Sequence, residues 1–180
     1  MSKQLKNISK MMSLVLRHQP EFIQAELDKN GWLPINESIE GINKKGIELN
    51  EELLIELVRD NDKQRFIISE DGLNIRANQG HSVSVDLEME AVHPPEYLYH
   101  GTVDKFMESI RKKGLMKMSR QHVHLSKDKE TALNVGSRRG SPVILTVRAG
   151  EMHRNDYKFY QSENGVWLTD NVNSKYIAFK

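Results

Sequence analysis

Arg17, Arg65 and Arg120, with His18, His100 and His124, stand where the regular patterns of this chain break off. They lie in four short segments: Leu16-Arg17-His18-Gln19-Pro20, Lys63-Gln64-Arg65-Phe66, His100-Gly101-Thr102 and Arg120-Gln121-His122-Val123-His124-Leu125-Ser126. Arginine grips phosphate with a planar fork that donates two parallel hydrogen bonds and keeps its charge near neutral pH. Histidine moves a proton near pH 7. Permanent cations interleaved with titratable imidazoles point to phosphate chemistry. The pair His122-x-His124 has no third ligand at metal-site spacing, so no metal is expected.

The elements that must position these residues can be read from periodicity. Leu5, Ile8, Met11, Met12, Val15 and Leu16 recur at helical spacing, and Pro20 requires that helix to stop near Arg17-His18. Asn36 is the expected N-cap of a short helix running to about Gly46, and Asn50 the expected cap of Glu51–Arg59. Residues 65–69 and 73–77 flank Glu70-Asp71-Gly72 as a hairpin. Three helices and a two-stranded wing suggest a winged-helix module over residues 1–91.

Val92-His93-Pro94-Pro95-Glu96 marks a joint. Beyond it, residues 92–180 read as strands at 97–100, 122–125, 143–147, 166–169 and 176–179. Helices are expected over 104–113, ended by Gly114, and from Asp128 to Val135. The fold class is α+β, with a mainly antiparallel sheet in the second half.

Composition narrows the options. With 38% hydrophobic and 28% charged residues in 180, the chain is an ordinary globular protein of one medium domain or two small ones. There is no cysteine, so disulfides, thiolate nucleophiles and Cys-based zinc sites are excluded. No apolar run suggests a signal peptide or a membrane span, and a cytoplasmic monomer is expected. The net charge of +1 conceals 11 Lys+Arg against 16 Asp+Glu in residues 1–91, and 15 against 9 in residues 92–180. The mean field of the first half repels a polyanion, so any RNA contact there must use a few placed cations.

Together with Arg76-Ala77-Asn78-Gln79-Gly80-His81-Ser82 and Asn164-Gly165-Val166-Trp167-Leu168-Thr169, the four segments resemble the RNA 2′-phosphotransferase family in the expected order from about Leu14 to Thr169. The resemblance implies a winged-helix RNA-binding lobe followed by an ADP-ribosyltransferase-like lobe that binds NAD between two small sheets. It implies that an internal RNA 2′-phosphate attacks C1″ of the nicotinamide ribose and expels nicotinamide. The resulting RNA-2′-phospho-ADP-ribose then yields RNA with a 2′-hydroxyl and ADP-ribose 1″,2″-cyclic phosphate. Arg17, His18, Arg65 and Arg120 are the catalytic set that the resemblance implies. His100, Gly101, Thr102, His124 and Val166 are the NAD-binding set, with Gly101 admitting the nicotinamide amide close to the backbone. Arg76, Gln79, His81, Ser82 and Arg139 are candidates for substrate or inter-lobe contacts.

Each residue has a plainer reading. Arg17-His18 can be a basic helix C-terminus set against the dipole, and Arg65 a solvated strand residue. His122 is left outside the site, and Arg138-Arg139 can be a solvated loop. Arg76, Gln79, His81 and Ser82 can simply pack. Two other functions use the same residues: an ADP-ribosyltransferase acting on a nucleic-acid end or a protein, and a non-catalytic winged-helix binder. The arginine set favours a phosphate acceptor over the first, and the acidic first half disfavours the second.

Overall fold

In the computed structural model, which describes residues 2–61 and 63–179, Leu5, Ile8, Met12, Val15 and Leu16 line one buried side of helix α1 (Lys3–Arg17). Ser2 caps its start by accepting the Leu5 N–H at 3.1 Å. The chain divides into two compact units, Met1–Glu88 and Met89–Lys180, each with its own apolar core.

In the first unit a 3-10 turn (Pro20–Ile23) follows α1 directly, with Pro20 opening it. The next helix, α2 (Ile35–Asn43), begins one residue before the expected cap: Asn36 lies inside its first turn and Pro34 is the N-cap. The cause is a short strand that periodicity missed. Leu33–Pro34 (β1) pairs antiparallel with Asn74–Ala77 (β3), and α2 starts as soon as that pairing ends. The helix stops at Asn43, three residues short of Gly46, because the Asn43 side chain both donates to and accepts from the Leu49 backbone and turns the chain. Asn50 caps α3 (Glu51–Arg59) by accepting the Leu53 N–H at 2.8 Å, a bond of a kind contributing about 1 kcal/mol. The hairpin pairs β2 (Phe66–Ile68) with β3 around Gly72, whose φ of +74° a side chain would resist. The sheet therefore has three strands, in the order β1-β3-β2, rather than the two expected.

The second unit holds two three-stranded antiparallel sheets. One orders β4 (Leu98–Val103), β6 (Pro142–Val147) and β9 (Ile177–Ala178). The other orders β5 (Val123–Leu125), β8 (Trp167–Thr169) and β7 (Phe159–Gln161). Around them lie α4 (Met107–Lys113), α5 (Lys129–Gly136) and α6 (Ala149–Arg154). Asp128 caps α5 through the Thr131 N–H at 2.7 Å. Strand β7 and helix α6 were not anticipated: each spans too few residues to display a period. The last expected strand, 176–179, is shorter, because Ser174–Tyr176 forms a 3-10 turn first. Mixed helices and antiparallel sheets thus make this an α+β protein. None of the described helices is long and apolar enough to cross a membrane.

Candidate active site

Arg17 and His18 sit at the end of α1, where the last carbonyls of a helix lack intrahelical donors. The segment after β3 satisfies them. Ser82 and Val83 donate their backbone N–H groups to the Arg17 carbonyl at 2.8 and 3.3 Å. The Ser82 Oγ lies 2.8 Å from His18 Nδ1. One four-residue stretch, Gln79 to Ser82, therefore leads from the sheet to the helix end and anchors the imidazole by its Nδ1 edge.

Arg65 is set by the residue just before that stretch. Asn78, itself buried, donates Nδ2–H to the Gln64 carbonyl at 2.6 Å, and its backbone N–H to the Arg65 carbonyl at 2.9 Å. Gln64 has a φ of +40°, a conformation uncommon for a residue with a side chain, and the Asn78 bond holds it there. Arg17 Nη2 also donates to the Arg65 carbonyl, at 3.5 Å. Arg17, His18 and Arg65 are thus joined through backbone groups. Asn78 and Gln64 were not singled out as site residues; the signal was their place inside the quoted motifs.

The remaining members of that motif have other surroundings. The Arg76 guanidinium lies over the Trp32 ring, 4.4 Å from its centroid. Gln79 is buried. His81 is 1% exposed, and neither ring nitrogen has a hydrogen-bond partner among the described residues. Burial, with the charges of Arg17, His18 and Arg76 nearby, pushes its pKa down to about 4, so it is neutral at pH 7.

In the second unit, His100, Gly101 and Thr102 lie along β4, opposite Leu145, Ile144 and Val143 of β6. His100 Nδ1 is 3.1 Å from the His124 carbonyl. A carbonyl only accepts, so Nδ1 carries the proton, and burial pushes the pKa down, with Arg120 and Arg139 adding to the shift against the opposing hydrogen bond. The neutral ring then offers Nε2 as an acceptor. Gly101 also has a steric reason to be glycine. A Cβ there would overlap the Ala132 carbonyl oxygen and crowd Gly136 N, so the absent side chain lets α5 lie against β4.

Arg120 is carried on the loop before β5, anchored by the Leu115–Val172 bridge and by the Lys117 N–H donating to Asn171 Oδ1 at 2.9 Å. Its Nη1 lies 3.5 Å from His124 Nδ1. Burial, then the nearby charge of Arg139, lowers its pKa from the usual arginine value. Arg120, Arg139 and His100 therefore feel one another's fields. Val166 enters β8 from a tight turn in which Ser162 bonds its N–H and carbonyl, and Gly165 takes a φ of +78°. Among the described residues, no three His, Asp or Glu side chains gather as metal ligands would.

Comparisons with known proteins agree with one another. The model of the family described as RNA 2′-phosphotransferase, Tpt1 / KptA family, matches residues 3–171. A probable RNA 2′-phosphotransferase of Flavobacterium johnsoniae is 65% identical, over 97% of this chain and 96% of its own length. Proteins of the same description from Rhodopirellula baltica and Acaryochloris marina are 54% and 51% identical, over 98% and 99% of this chain and 97% and 98% of theirs. With the arginine and histidine segments in family order and relatives matching end to end, the chain belongs to the RNA 2′-phosphotransferase, Tpt1 / KptA family.

Proposed function

We propose that the protein transfers an internal 2′-phosphate of an RNA to NAD. The products are RNA with a 2′-hydroxyl, nicotinamide and ADP-ribose 1″,2″-cyclic phosphate. The observation that carries this reading is the clamp of Asn78 and Ser82, which ties the backbone of two arginines and one imidazole to a single framework. Such a framework suits a phosphate that must be held in one orientation through two steps. Under this reading residues 1–88 are a winged-helix RNA-binding lobe with the β2–β3 hairpin as its wing. Residues 89–180 are the ADP-ribosyltransferase-like, NAD-binding lobe.

NAD supplies an electrophilic ribose carbon with a good leaving group. The RNA 2′-phosphate is largely ionised at pH 7 and needs no general base to attack it. Arg17 and Arg65 hold the phosphate oxygens, and Arg120 adds a third cation where charge grows during transesterification. His18 moves the proton between the two hydroxyl oxygens exchanged at phosphorus. The neutral His100 accepts a hydrogen bond from a ribose hydroxyl through Nε2, with Thr102 and His124 beside it in the NAD-binding lobe. Arg139, close enough to shift His100 and Arg120, offers charge to the pyrophosphate. Val166 puts an apolar side chain at the start of β8, where a carboxylate would repel the phosphate nucleophile.

The test is incubation of an internally 2′-phosphorylated oligonucleotide with NAD. Release of 2′-hydroxyl RNA together with the cyclic phosphate supports the reading. Release of nicotinamide with an ADP-ribosylated RNA as the only final product would assign the chain to the one-step alternative.

A further inference from the structure

The β5-β8-β7 sheet has two unlike faces. Val123, Leu125, Phe159, Trp167 and Thr169 are buried on its core side. Side chains alternate along a strand, and the register sets both His124 and Tyr160 opposite Leu168, so these three share the other face. His122, just before β5, meets the Tyr160 ring, and Lys158 stands just before β7.

At this end of the sheet lies a cavity of about 670 Å³, lined in part by Lys113, Lys117, His122, Lys158, Tyr160 and Asn171. The opposite end of β5 adjoins β4: Ser126 pairs with Tyr99, next to His100. His124, with Arg120 at 3.5 Å, stands between the two ends. The residues assigned to NAD thus occupy one end of β5, and the cavity, which the proposed reaction leaves unused, occupies the other.

The lining has the make-up of a single-strand site: cations for a phosphate, an aromatic face for a base and amides for base edges. Asp170 is engaged by Lys117 at 3.0 Å, which holds its carboxyl below the usual range. Lys113 and Lys158 are exposed, with Asp156 the other carboxylate on the lining. The rings of His122 and Tyr160 lie with centroids 5.6 Å apart and tilted by 56°, so each limits the other's rotation. An internal 2′-phosphate belongs to a strand that continues past the reacting nucleotide and must be accommodated somewhere.

We propose that this cavity binds the nucleotide adjoining the 2′-phosphorylated one in a single-stranded RNA, its phosphate against Lys113 and Lys158 and its base against Tyr160. The inference rests on the reading of the reaction given above. The test compares the protein with the double variant Lys113→Glu/Lys158→Glu and, separately, with Tyr160→Leu, on a tetranucleotide carrying one internal 2′-phosphate. KM for the tetranucleotide is expected to rise roughly 10-fold in each, with kcat and the KM for NAD unchanged. The unchanged kcat also reports an intact fold. An unaltered KM for the RNA overturns the proposal. So does a rise in the KM for NAD instead, which would give the cavity to the co-substrate, or a fall in kcat with no change in KM for the RNA. Absence of any 2′-hydroxyl product from the unsubstituted protein would instead sink the functional reading itself.

Discussion

Ser82 and Asn78 are the residues through which the local chemistry is organised, although neither carries a charge. Ser82 bonds His18 Nδ1 and the Arg17 carbonyl; Asn78 bonds the carbonyls of Gln64 and Arg65. Ser82→Ala should leave binding of NAD intact and slow product formation roughly 5-fold, the worth of about 1 kcal/mol for one such bond. Ser82→Thr, which keeps the hydroxyl, should restore most of the loss, as single-turnover assays would register. The arginines should separate the two steps. In the proposed reaction nicotinamide expulsion has a nucleophile that arrives ionised, whereas transesterification must also stabilise charge on phosphorus and protonate a leaving oxygen. Arg65→Ala, Arg120→Ala and His18→Ala should each slow the second step by about 10²–10³ and accumulate RNA-2′-phospho-ADP-ribose, visible by gel or mass spectrometry. Lysine at either arginine should rescue only in part, since a point charge lacks the fork. Equal loss of both steps in all three variants would refute this division of labour.

A helix end and two loops, rather than element interiors, hold the three candidate arginines. Arg17 closes α1, Arg65 precedes β2, and Arg120 sits on a loop before β5. The helix α1 was legible because the apolar spacing marks its run and Pro20 its end. Strand β1 was not, because two residues have no period and Leu33–Pro34 becomes a strand only by pairing with β3. The packing of α5 on β4 was equally hidden. Gly101→Ala should force α5 away from the strand and destabilise the second unit by about 1–3 kcal/mol, lowering the thermal midpoint. A variant that melts normally yet fails to turn over NAD would return Gly101 to the cofactor role first inferred for it.

Across the molecule, buried imidazoles couple folding to pH. His81 titrates near 6.5 when unfolded and near 4 in the fold, so the unfolded chain binds more protons between those values. Stability therefore falls as pH drops from about 6.5, and the loss from this group approaches about 3 kcal/mol near pH 4. Urea midpoints measured from pH 7 to pH 4.5 should decline, and His81→Asn should flatten that decline. An unchanged slope in the variant would mean that His81 is not the group responsible. The charge division between the two halves also acts on the whole chain: with 11 cations against 16 anions in residues 1–91, any RNA contact there must use few and placed cations.

The family, the reaction class and the candidate residues were present in the chain as an ordered set of short motifs. Chemistry demands particular side chains, and those can be read without coordinates. The caps at Asn50 and Asp128 and the turn at Gly72 were equally legible, since each is a local interaction within a few residues. Tertiary structure alone decided what depends on distant partners. It set the Nδ1 anchor between His18 and Ser82, 64 positions apart, and the protonated nitrogen of His100 facing the His124 carbonyl. It also set the steric need for Gly101 and the shared sheet face of His124 and Tyr160. These are contacts across the fold, and a linear pattern records which residues are available but not which of them meet.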